Sequence, residues 1–140
     1  MSFSNHCHAV VKKAYARANL ILRCFYTNDR DFLLRLYLVY VRPLLEYNSP
    51  VWSPHTGTDI LLLERVQKYF TKRLSGLESL SYTKRLAVLH IPSLACRHNR
   101  ADLVLLYKIM HNLIDLELSK LFQLSSSVSS TMVLSPGAML

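Results

Sequence analysis

The stretch that decides the fold is residues 32–47, FLLRLYLVYVRPLLEY, the most apolar run in the chain. Phe32, Leu33, Leu34, Leu36, Tyr37, Leu38, Val39, Tyr40 and Val41 leave almost no polar face. A helix that is apolar nearly all round belongs at the centre of a bundle, so this one is expected to be the most buried. Asn28 or Asp29 stands where an N-cap is needed, its side-chain oxygen free to accept the first orphan N–H groups. Pro43 cannot donate a backbone hydrogen bond and should kink or end the helix. Leu44, Leu45 and Tyr47 suggest that a helical turn resumes beyond it. Arg35, Arg42, Pro43 and Glu46 interrupt the run, which argues against a membrane span and a membrane partner.

Outward from this stretch the pattern stays helical. Upstream, Val11, Ala14, Tyr15, Ala18, Ile21, Leu22 and Phe25 form one apolar stripe on a helix from about Asn5 to Phe25. Lys12, Lys13, Arg17 and Arg23 fall off that stripe. Downstream, residues 48–57 (NSPVWSPHTG) read as a loop, with Trp52 plugging the edge of the core. Thr58 or Asp59 can cap a third helix to about Leu74, and Gly76 is a natural stop. On it Leu63, Val66, Phe70, Leu74 and Leu77 fall in a narrow arc, opposite Arg65, Lys68 and Lys72, with Arg73 at the rim. Ser81 or Tyr82 opens a short helix to Leu89, and Ser93 caps a long one to about Leu113. On this last helix Cys96, Leu103, Leu106, Tyr107, Met110, Leu113 and Ile114 share a face. No strand pattern and no internal repeat is visible, so the fold class is all-α, a single domain of about five helices over residues 1–122. Residues 123–140 form a serine-rich, uncharged segment without periodicity that reads as a flexible tail.

Composition narrows the functions. Lys plus Arg is 17 against 9 Asp plus Glu, a formal net charge of +8. That balance suits a polyanionic partner, though an ordinary basic protein shares it. The three glycines, at 57, 76 and 137, build no phosphate-cradling loop. Three cysteines, Cys7, Cys24 and Cys96, with no apolar leader before them, fit a reduced intracellular setting. The carboxylates are scattered: Asp29, Asp31, Asp59, Asp102, Asp115, Glu46, Glu64, Glu78 and Glu117. Two-metal chemistry needs them clustered, so no catalytic residue is assigned. His6, Cys7 and His8 are too close along the chain to wrap one tetrahedral ion, and Cys96 and His98 point to different sides of a helix. No metal, cofactor or small-molecule substrate is expected. The stripe Arg65, Lys68 and Lys72 spans about 10 Å of helix axis, enough to meet more than one backbone phosphate. A solvated surface face would look the same.

The segment VYVRPLLEYNSPVWSP (39–54) resembles a signature that follows the polymerase palm in jockey-like non-long-terminal-repeat retrotransposon reverse transcriptases. SFSNHCHAVVKKAYARANLILRCF (2–25) is similar to the helix after the last palm strand of that family. DILLLERVQKYFTKRLSGLESLSYTKRLAVLHIPSL (59–94) and RADLVLLYKIMHNLIDL (100–116) follow in the same order, so the resemblance covers roughly residues 2–125. It implies a C-terminal, thumb-like region of an RNA-directed DNA polymerase. In that family the thumb holds the template–primer duplex. By resemblance, Arg65, Lys68, Lys72 and Arg73 would contact an RNA–DNA or DNA duplex, and the missing polymerase palm would be a protein partner. The family's metal-binding aspartates would lie upstream of residue 2, so this piece is expected to be non-catalytic. Cys96-Arg97-His98 departs from the run of charged residues usual there. The alternative is a helical protein-interaction or structural module without nucleic-acid binding.

Overall fold

In α1, Phe3–Cys24, the residues that recur every three or four positions are Cys7, Val11, Ala14, Ala18 and Ile21, and all five are buried. Ala14 and Ala18 are small enough to let neighbouring helices approach closely. The computed structural model describes residues 3–47 and 57–114 of the chain. Among them are five further helices and no strand: α2, Arg30–Tyr40; α3, Arg42–Glu46; α4, Gly57–Lys72; α5, Tyr82–Leu89; and α6, Leu94–Met110. The fold is all-α. No described helix is long and apolar enough to cross a membrane.

The helix ends follow local chemistry. Asp29 accepts hydrogen bonds from the N–H groups of Asp31 and Phe32, both at 3.1 Å, and so caps α2. Ser81 caps α5 and Ser93 caps α6 through the Cys96 N–H at 3.2 Å. At the end of α5, His90 takes the left-handed conformation, φ 53°, and Ile91 N–H returns to the Leu86 carbonyl. This is a Schellman closure on a residue with a Cβ where glycine is usual. After α4 the chain turns through Gly76 at φ +79°; a Cβ there would meet nothing within 4 Å, so the dihedral rather than space calls for glycine. Asp59 is not a cap. It lies inside the first turn of α4, is buried, and accepts the Ser4 hydroxyl at 3.3 Å, tying the start of α4 to the start of α1.

Pro43 acts as expected. The rod of residues 30–46 breaks at Val41 and resumes as α3, with the proline in its first turn. Leu33, Tyr37, Val41 and Leu45, spaced by four, make one continuous buried stripe across the break.

Two expectations fail here. Helix α2 is not the most buried helix: Phe32, Val39 and Tyr40 face solvent, Tyr40 at 54% exposure. It packs mainly on α1 and α3, so only one side finds neighbours. Phe25, one residue beyond α1, leaves the stripe and is also exposed. The central element is α4, where Asp59, Leu63, Glu64, Val66, Gln67, Phe70 and Thr71 are all buried. The arc Leu63, Val66, Phe70, Leu74 and Leu77 is buried as read from the sequence. Phe70 stacks on Tyr37 with ring centroids 4.7 Å apart, joining α4 to α2.

Residues Met1–Leu106 form one unit and Tyr107–Leu140 a second, of which 107–114 are described. In the second unit Leu113 N–H returns to the Lys108 carbonyl over Asn112 at φ 51°, so the helix ends at Met110, not Leu113. Of the apolar face foreseen on this helix, Leu103, Leu106, Tyr107 and Met110 are exposed, and Leu113, also exposed, and Ile114 fall beyond the helix end. Of the loop expected at 48–57, Gly57 instead opens α4, while residues 48–56 with Trp52, the boundary at 122/123 and the tail lie outside the described residues.

Candidate nucleic-acid interface

The phase of α4 is set by its buried side. Gln67 accepts the Tyr37 hydroxyl (3.2 Å) and donates to Tyr82 Oη and to the Pro92 carbonyl (both 3.1 Å). One turn earlier Glu64 accepts the Tyr82 hydroxyl and the N–H groups of Leu94 (3.3 Å) and Ala95 (3.1 Å). Thr71 returns its hydroxyl to the Gln67 carbonyl at 2.8 Å. A buried polar group without a partner costs free energy, so this network admits one rotation of α4. Burial raises the Tyr37 hydroxyl pKa well above its ordinary value. Burial and then the hydrogen bond to Glu64 raise that of Tyr82.

That rotation determines where the four candidate cations go. Arg65 and Lys72 are exposed, seven residues apart on the outer face. Lys68 does not project freely with them. It is half-buried, its ammonium 5.1 Å from the centroid of the Tyr82 ring, because α5 brings that ring alongside. Arg73 is exposed just past the helix, its guanidinium 4.3 Å from the centroid of the Tyr69 ring. Tyr69 in turn meets Tyr15 edge-to-face at 5.3 Å and donates its hydroxyl to Asn19 Oδ1. Burial raises the Tyr15 pKa, and the nearby Arg65 charge opposes the rise.

The surface is therefore a seam between α1 and α4 rather than a stripe on one helix. Tyr15, Asn19 and Tyr69 form its floor, flanked by Arg65 and Arg73. At about 3.6 residues per turn, Lys12 and Arg23 fall on the same side of α1 as Asn19. Both are exposed. A hollow of about 610 Å³ is lined by Tyr69, Lys72, Arg73 and Glu78. Among the described residues that line it, Glu78 is the one carboxylate and weakens the positive field at that end. From the sequence, Tyr15 was placed only on the apolar stripe of α1, Glu78 only among the scattered carboxylates, and Tyr69 nowhere. For the two tyrosines the signal was their interleaving with basic residues.

Among the described residues no three His, Cys, Asp or Glu side chains gather as metal ligands would. Cys96 is exposed while His98 is buried, its Nε2 3.0 Å from the Leu45 carbonyl oxygen. Glu46 accepts a two-pronged contact from Arg97 and lies 3.2 Å from Arg42 Nε. These groups hold α3 to α6.

No protein-family model matches the chain, and no solved structure does. A Caenorhabditis elegans protein described as uncharacterized is 33% identical over 90 residues, which is 62% of this chain and 46% of that protein. The matched region is thus less than half the length of the relative, and the likeness shows shared sequence without a described activity.

Proposed function

We propose that this chain is a non-catalytic, thumb-like helical module that binds duplex nucleic acid through backbone phosphates. The resemblance of residues 2–125 to jockey-like retrotransposon reverse transcriptases supports the origin. One observation carries the binding reading: Arg65 and Lys72 stand exposed about 10 Å apart on α4, beside Arg73 held over Tyr69. Guanidinium and ammonium groups so placed meet phosphates without reading bases. A net charge of +8 draws the polyanion in. Lys68 contributes less, being turned toward Tyr82.

The test is titration of a labelled RNA–DNA duplex and a DNA duplex over a range of salt. Three phosphate contacts give a log–log slope of roughly −2 to −3. Arg65→Ala with Lys72→Ala should flatten it by about 2, with no change of sequence preference. Equal affinity and slope for wild type and double variant would discard this face. The second reading is a packing module, with a polymerase palm as partner. It is favoured by the outward-facing Leu103, Val104 and Leu106 on α6, and predicts little salt-sensitive duplex binding.

A further inference from the structure

On the other side of α1, away from Tyr15, an open groove of about 530 Å³ runs between α1 and α2. Its lining is Arg17, Leu20, Ile21, Cys24, Phe25, Leu36 and Tyr40. Ile21 is buried and forms the floor, while Leu20 is 60% exposed and Phe25 42%. Phe25 meets Phe32 edge-to-face at 5.4 Å, and Arg17 donates to the Tyr40 carbonyl at 3.1 Å. The first contact stiffens one end and the second ties the two walls together. Large apolar side chains are thus held in place facing water, which carries a standing hydration cost unless something covers them.

The rim is cationic. Helix α1 has no acidic residue in its 22 positions. Lys13 lies one turn before Arg17, and Arg35 borders the exposed side of α2. Among the described residues, no ion pair engages Lys13, Arg17 or Arg35. The acids at the start of α2 have local work: Asp29 is the cap and Asp31 stands 3.7 Å from Arg30. We propose that this groove docks an amphipathic helix of another protein, one whose apolar stripe is flanked by acidic residues. From Phe32 to Tyr40 the exposed wall spans about 12 Å, two to three turns of a partner helix with anchors at i, i+4 and i+7. Charge complementarity selects the occupant. A second copy would bring the same cationic rim and a net +8 against +8. A lipid surface is met by a protruding apolar stripe, whereas this surface is a furrow between two helices.

The experiment uses the full chain and a synthetic peptide of about 15 residues with leucines at helical spacing. Its two versions carry glutamates or lysines on the flanks. Fluorescence anisotropy should show the acidic version binding at least about tenfold tighter. Leu20→Glu and Arg35→Glu should each weaken it by about tenfold or more, with an unchanged circular-dichroism spectrum. Binding should also slow alkylation of Cys24 and not of Cys96, both exposed thiols, the second serving as internal control. The proposal is overturned by equal affinity for the two peptides, by unprotected Cys24, or by variants that bind like wild type. It is equally overturned if Cys24 is protected instead by phosphatidylserine vesicles or by concentration-dependent dimerisation. Duplex titration of the same variants reads out separately, because neither residue belongs to the α1–α4 seam.

Discussion

The Glu64 carboxylate accepts the backbone N–H of Ala95 at 3.1 Å, so a residue of α4 caps a helix that begins thirty positions later. Leu94 N–H joins the same carboxylate, and Ser93 serves the next donor, Cys96 N–H. The positive end of the α6 dipole thus meets a buried negative charge. Glu64→Ala would strand two N–H groups and the Tyr82 hydroxyl. A loss of about 2–4 kcal/mol is expected by chemical denaturation, with Glu64→Gln recovering part of it. An unchanged midpoint in Glu64→Ala would show that water replaces the carboxylate at no cost.

Phe70 and Tyr40 give opposite expectations. Phe70 is fully buried against Tyr37, so Phe70→Ala should cost about 3–5 kcal/mol. Tyr40 is more than half exposed at the rim of the α1–α2 groove, so Tyr40→Asp should change stability by no more than about 1 kcal/mol. Thermal melts of the two variants decide it; unfolding of Tyr40→Asp would mean that α2 is covered on both sides.

Alkaline pH should destabilise the protein through buried Tyr37 and half-buried Tyr82. Tyr37 and Tyr82 ionise in the folded state well above the ordinary value of 10.0. The folded form therefore holds its protons longer than the unfolded form. Their contribution is fully present below pH 10 and is lost progressively above it. Melting temperature measured from pH 8 to 11 should fall above 10, and less steeply in Tyr37→Phe. Parallel profiles would remove Tyr37 from the account.

How much of this was legible depends on how far each partner lies along the chain. Caps and stops were readable because Asp29, Ser81, Ser93 and Gly76 act within a few residues of themselves. The α4 apolar arc was readable because period and burial agree there. Burial of α2 was not, since nine apolar residues among the ten of 32–41 carry no record of which side finds a neighbour. Glu64 and Gln67 were invisible as core residues: their partners sit 15 to 31 positions away, and a carboxylate or amide on a helix normally faces water. Lys68 was misplaced for the same reason, because the ring that holds it belongs to α5.

The polar seam of Tyr37, Glu64, Gln67 and Tyr82 also constrains inheritance. Each apolar contact of the core can be exchanged for another of similar volume, one position at a time. The seam has no such neutral single steps, because removing any member orphans its neighbours. In diverging descendants of this fold the four positions should persist or vanish as a set, while Leu63, Val66 and Leu74 drift independently. An alignment in which Gln67 is lost while Tyr37 and Tyr82 stay would contradict that linkage.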